Sequence, residues 1–62
     1  MTNKVKDYRL KKRLSQSELG KLIGVARNTI SSIERCEYTP TLRTAFKLAK
    51  VLNANITDLF KE

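Results

Sequence analysis

The chain has 62 residues, with 13 Lys and Arg against 6 Asp and Glu, and a net charge of +7. That length fits one domain, residues 1–62, and is too short to enclose a deep substrate cavity beside a core. The charge favours a polyanionic partner, either nucleic acid or an anionic membrane surface, although lysines that only keep a small protein soluble give the same balance.

The residue types that build catalytic and metal sites are scarce. The sequence has one cysteine, Cys36, and no histidine, so an intrachain disulfide is excluded and a zinc site lacks ligands. We expect no metal, no cofactor and no small-molecule effector, and without a glycine-rich phosphate loop or a plausible acid pair we expect no enzyme. With no signal peptide and no apolar span, the sequence predicts a cytoplasmic, nucleoid-associated protein without membrane contact.

Hydrophobic spacing predicts a first helix from about Asn3 to Lys12, with Val5 and Tyr8 facing inward and Leu14 following into the core. Three cations at its end complement the helix dipole, and we expect solvated charge rather than direct contacts from them: Lys11, Lys12 and Arg13.

The second helix has a strong start signal. Ser15-Gln16-Ser17-Glu18 is a capping box, in which the Ser15 hydroxyl and the Glu18 carboxylate each bond a free backbone amide. Gly24 can take a positive φ and ends the helix. Its apolar stripe is Leu19, Leu22 and Ile23.

A third helix is predicted from about Arg27 to Arg35, with Ile30 and Ile33 inward and a short, polar outer face. After the loop at residues 38–41, Thr41 can cap a fourth helix. The apolar positions of that helix are expected in the core: Leu42, Ala45, Phe46, Leu48, Ala49 and Leu52.

Asn55 is a candidate cap for a last short helix, with Ile56, Leu59 and Phe60 inward. Strand signals are weak, because β-branched residues do not alternate. The fold class is therefore all-α, a compact bundle of five short helices.

Residues 16–35 have the features of a helix-turn-helix, in which the second helix of the motif is offered to the DNA major groove. Gly20 supplies the small residue that the helix crossing requires, and Gly24 supplies the flexible turn. Val25, Ile30 and Ile33 are apolar and can hold the second helix of the motif on the body.

Several segments, in order and spacing, resemble the phage-repressor (Cro/C1, or Xre) helix-turn-helix family, whose fold is the lambda-repressor-like DNA-binding domain. The matching segments are Leu14–Leu19, Ile30–Arg35, Tyr38–Leu42, Leu48–Leu52 and Ile56–Phe60.

The resemblance implies a transcriptional regulator, expected to be a repressor, that binds double-stranded DNA at a palindromic operator as a homodimer. It implies an internal ion pair between Arg9 and Glu34. Base contacts are expected from the third helix: Arg27, Asn28, Ser31 and Ser32. Phosphate contacts are expected from Gln16, Ser17, Arg35, Thr39 and Arg43.

The sequence departs from the family pattern at two positions. Ala26 stands where a Ser or Thr usually caps the third helix, a loss of about 1 kcal/mol. Cys36 stands where Gly or Asn usually follows that helix, and we expect it to adopt a positive φ.

A second function class is a protein-interaction module, such as an antitoxin that neutralises a partner and represses its own operon. Such a protein usually needs a further segment to hold its partner, whereas this sequence ends two residues after Phe60. Binding to a defined duplex and partner pull-down separate the two hypotheses.

Overall fold

Five short helices and a two-residue strand near each end make up residues 2–62, the part of the chain that the computed structural model describes. The elements in chain order are β1 (Thr2–Asn3), α1 (Val5–Lys11), α2 (Gln16–Ile23), α3 (Arg27–Glu34), α4 (Leu42–Leu52), α5 (Ile56–Leu59) and β2 (Phe60–Lys61). The predicted bundle of five helices is confirmed, and so is the capping of α4 by the Thr41 side chain.

The two strands were not expected from the sequence. Thr2 pairs with Lys61 and Asn3 with Phe60 in an antiparallel ladder that joins the two ends of the chain. The predicted start of α1 at Asn3 is therefore wrong. Asn3 precedes the helix, and its side-chain oxygen accepts a bond from the Val5 amide at 3.2 Å.

Each of the first four helices is followed, within two residues, by a left-handed residue. The amide of the residue that follows it bonds back to a carbonyl five residues earlier, at 2.9 to 3.2 Å, as in the Schellman motif. The positive φ predicted at Gly24 and Cys36 is confirmed. The four residues are Arg13 (φ 58°), Gly24 (φ 78°), Cys36 (φ 60°) and Asn53 (φ 53°).

One apolar cluster at the centre joins all five helices. Its members are Val5, Leu19, Ile23, Ile30, Ile33, Leu48, Leu52 and Leu59. Tyr8, Leu14 and Phe60 were predicted to face inward. They are only half-buried and pack against the edge of this cluster. Burial of these side chains from α1 to α5 fixes α2 and α3 against the rest of the fold.

Three residues that the sequence assigned to the core are exposed: Leu22 (59%), Leu42 (68%) and Phe46 (57%). The reason lies in helix geometry, at about 100° per residue. The core side of α4 is centred near Ala45, Leu48 and Leu52, so Leu42 and Phe46 lie at its flank. The same argument turns Leu22 away from the side of α2 that buries Leu19 and Ile23.

The last helix differs from its prediction in two ways. Asn55 occupies the position before α5, but its side chain makes no capping bond. Phe60 is extended and belongs to β2 rather than to the helix. None of the helices described between residues 2 and 62 has the length and apolar character that crossing a membrane requires.

Candidate nucleic-acid interface

The start of α2 is fixed by the predicted capping box. The Ser15 hydroxyl accepts from the Glu18 amide at 3.0 Å, and the Glu18 carboxylate accepts from the Ser15 amide at 2.8 Å. Hydrogen bonding to Ser15, chiefly from its backbone amide, lowers the pKa of the Glu18 carboxyl below its ordinary value of 4.5. The box leaves Ser17 exposed and Gln16 half-buried in the first turn of α2.

The turn between α2 and α3 depends on glycine at position 20. A Cβ built at Gly20 would lie 2.6 Å from the carbonyl oxygen of Val25, closer than real Cβ contacts come. The Val25 amide bonds the Gly20 carbonyl at 2.9 Å, so the turn is packed directly on α2. Gly24 supplies the left-handed residue between the two helices. This close approach sets the position of α3 relative to α2.

The first turn of α3 presents its polar side chains to solvent. Ala26 occupies the position before the helix and gives no side-chain cap, as the sequence predicted. Arg27 and Asn28 are exposed, whereas Ile30 and Ile33 on the opposite side are buried. The α3 backbone is thus held by the core while these two side chains are available to a ligand.

The polar side chains in the second half of α3 are less exposed and make more contacts within the protein. Ser31 and Ser32 are half-buried. The guanidinium of Arg35, which follows the helix, donates to the Ser31 hydroxyl and, at 3.0 Å, to the Glu37 carboxylate. This exposed ion pair raises the pKa of Arg35 and lowers that of Glu37. Ser31 and Arg35 are therefore bonded to each other, while Ser32 keeps its hydroxyl beside an open groove.

That groove runs between α3 and the following loop and has a volume of about 360 Å³. It is lined by Asn28, Thr29, Ser32 and Tyr38. Neither Thr29 nor Tyr38 was predicted to belong to a site. The aromatic ring in the loop after α3 was the available signal for Tyr38, but only the fold brings it beside Asn28 and Ser32.

A buried ion pair connects the helices behind this surface. Arg9 Nε and Nη2 donate to the Glu34 carboxylate at 2.7 and 3.2 Å, and Arg9 Nη1 donates to the Leu14 carbonyl at 2.8 Å. Gln16 Nε2 also donates to Glu34, at 3.0 Å. Arg9 is only 7% exposed. The pair that the resemblance implied is present and links α1 to the end of α3, while Gln16 joins the start of α2 to the same carboxylate.

The remaining predicted phosphate contacts lie on other elements. Thr39 is exposed in the loop after α3, and Arg43 is exposed in the first turn of α4. The predicted site residues are thus spread over the start of α2, the exposed side of α3, and the loop that leads into α4. Exposed polar and cationic side chains on several segments suit an elongated polyanion.

Comparison with known proteins agrees with this arrangement. Residues 5–59 match the helix-turn-helix family. An HTH-type transcriptional regulator of Archaeoglobus fulgidus is 45% identical over 60 residues, covering 97% of this chain and 86% of that protein. The transcriptional repressor RstR of the cryptic phage CTXphi, from Vibrio cholerae, is 34% identical over 61 residues, covering 98% of this chain and 55% of the repressor.

Solved structures give the same result. The P22 c2 repressor in complex with a synthetic operator superposes with a TM-score of 0.89 at 33% identity, covering 94% of this chain and 88% of the repressor. The N-terminal DNA-binding domain of SinR from Bacillus subtilis gives 0.84 at 37% identity, covering 95% and 87%. The chain belongs to the Cro/C1-type helix-turn-helix family of DNA-binding transcriptional regulators.

Proposed function

We propose that this protein is a sequence-specific repressor that binds a palindromic operator as a homodimer, with α3 in the major groove. The observation that carries the proposal is the exposure of Arg27 and Asn28 in the first turn of a helix whose other side is buried. An Arg side chain can donate two bonds to the O6 and N7 atoms of guanine, and Asn pairs in the same way with adenine. Ser31 and Ser32 then contact bases farther along the helix.

Phosphate contacts hold α3 in register without reading sequence. The free amides in the first turn of α2, together with Gln16 and Ser17, suit one phosphate, because the helix dipole favours an anion there. Thr39 and Arg43 are exposed after α3 and suit a further position of the DNA backbone. Arg35 joins them when a phosphate replaces Glu37 as the partner of its guanidinium.

The size of the protein supports a dimer. Its Cα atoms extend over 26 Å in the longest direction. Two successive major grooves on one face of DNA are about 34 Å apart. One copy therefore reaches one groove only, and two copies related by a two-fold axis read two half-sites with centres about 10 base pairs apart.

The dimer surface that we propose is the exposed apolar flank of α4. Leu42 and Phe46 lie one turn apart and are mostly exposed. A groove of about 250 Å³ adjoins Leu42, and its lining is Thr39, Pro40, Leu42, Ala45, Ile56 and Phe60. Because each copy carries a charge of +7, two copies approach most easily where the surface is apolar and uncharged. Leu42 or Phe46 of one copy can enter the groove of the other.

Selection of bound duplexes from a random pool tests the function. The expected result is a two-fold symmetric site, protected on both half-sites in footprinting. A pool without any enriched sequence contradicts sequence-specific binding, and an enriched single half-site bound by one copy contradicts the dimer.

Sedimentation of two matched variants tests the dimer surface. Leu42→Ser should raise the dimer dissociation constant about tenfold or more, as at other central interface residues. Leu22→Ser removes a similarly exposed leucine from α2 and should leave the dimer unchanged. Equal effects of the two substitutions would contradict this assignment.

A further inference from the structure

Arg13 is an unusual residue for the place it occupies. Of the four left-handed residues that follow helices, Gly24 and Asn53 belong to the types that tolerate this backbone. Arg13 follows the end of α1 and has a φ of 58°, a conformation in which a side chain with a Cβ is unfavourable. Glycine would give the same turn without strain, so the fold alone does not account for an arginine.

The charge of Arg13 is unused within the fold. Its side chain is exposed, and it lies within ion-pair distance of no acidic group in the part of the chain that the structure describes. Its neighbour Lys11 differs, because the Lys11 ammonium lies 5.0 Å from the centre of the Tyr8 ring on the preceding turn. Lys11 is also in the last turn of α1 and complements the dipole, whereas Arg13 lies beyond the end of the helix.

The position of Arg13 is set by the start of α2. Two peptide units separate it from Ser15, so their Cα atoms are at most about 7.6 Å apart. The capping box fixes Ser15, and Gln16 and Ser17 follow in the first turn of α2. A long cationic side chain that starts from position 13 can therefore reach the segment to which the proposed function gives a phosphate.

We infer that Arg13 is a further DNA phosphate contact, which binds the backbone next to the phosphate held by the start of α2. This inference rests on the proposed function. It also changes the expectation from sequence, which grouped Arg13 with Lys11 and Lys12 as solvated charge. The strain at Arg13 is then the consequence of placing a cation in a turn where glycine is the more stable choice.

Arg13→Gly separates the two roles because they respond in opposite directions. The substitution should raise the urea midpoint of unfolding, since the left-handed strain is removed. It should also weaken binding of operator and random duplex by the same factor. The slope of log affinity against log salt should fall by about 0.9 for each bound copy, or about 1.8 for a dimer. Between 50 and 200 mM salt, the variant should lose about 12-fold less affinity than the original protein.

Two control variants complete the experiment. Arg13→Lys keeps the charge and should keep most of the salt dependence. Lys11→Gln removes one positive charge from the same segment and should leave the slope unchanged. A more stable Arg13→Gly protein with an unchanged slope would overturn the inference, as would equal slopes in the Arg13→Gly and Lys11→Gln proteins. Failure of the original protein to select any duplex would instead contradict the proposed function.

Discussion

Replacement of Glu34 by alanine tests how far the buried ion pair stabilises the fold. The carboxylate accepts two bonds from Arg9 and one from Gln16, at 2.7 to 3.2 Å. Its loss leaves the Arg9 guanidinium, 7% exposed, with the Leu14 carbonyl as its remaining partner. An uncompensated buried charge costs about 3–5 kcal/mol. A domain of 62 residues has a free energy of unfolding of about 3–9 kcal/mol, so Glu34→Ala should lose a large share of that free energy and unfold at a much lower urea concentration.

Urea unfolding followed by circular dichroism measures this effect. Glu34→Gln keeps one oxygen acceptor and should lose less. The double variant Arg9→Met/Glu34→Leu removes both charges and should be more stable than Glu34→Ala. Glu37→Ala, which breaks the exposed pair with Arg35, is the control and should change stability little. If Glu34→Ala loses no more than Glu37→Ala, the ion pair is not what holds α1 to α3.

Three other substitutions test local features. Cys36→Gly should stabilise the fold by about 1 kcal/mol, since it relieves a φ of 60°, and should leave DNA affinity nearly unchanged; a loss of stability in urea would show that the Cys36 side chain is needed. Gly20→Ala should destabilise the fold by about 1–3 kcal/mol, because its Cβ meets the Val25 carbonyl; an unchanged melting temperature would contradict that contact. Glu18→Gln should lose less stability than the original protein as the pH falls from 6 to 3. The lowered pKa of Glu18 means that its carboxylate stabilises the fold above about pH 4.5 and loses this effect in acid; identical pH profiles would show that the ionised form contributes nothing.

The two ends of α2 were the most predictable part of the fold, because they depend on local chemistry. The capping box at Ser15 and the left-handed turn at Gly24 need only neighbouring residues, and both were evident in the sequence. The left-handed backbone at Cys36 was expected from the family resemblance, because Gly or Asn usually stands at that position. Such features do not depend on which distant elements come together.

Features that depend on distant parts of the chain were not predictable in the same way. The pairing of Asn3 with Phe60 joins residues at opposite ends of the chain, and two-residue strands have no periodicity to detect. The apolar residues of α4 cover a wider arc than the core can bury. The sequence therefore could not show that Leu42 and Phe46 remain outside.

The candidate site likewise combines features that neighbouring residues determine with features that only the fold determines. Arg27 and Asn28 could be predicted because they lie in the first turn of a helix whose buried side was evident from the sequence. Tyr38 reaches the groove beside Asn28 only through the path of the loop after α3. The bond between Arg35 and Ser31, likewise, depends on a side-chain conformation that no spacing rule specifies.

Arg27→Ala and Arg43→Ala test directly whether α3 reads bases while other cations bind only phosphate. Both variants are titrated on the selected operator and on random duplex at two salt concentrations. Arg27→Ala should weaken operator binding by about 1–3 kcal/mol and relax the preference at one base pair in each half-site. Arg43→Ala should weaken both duplexes equally and reduce the salt slope by about 0.9 per copy. If Arg27→Ala weakens both duplexes alike and keeps the base preference, Arg27 is a phosphate contact and the assignment of base reading to the start of α3 is wrong.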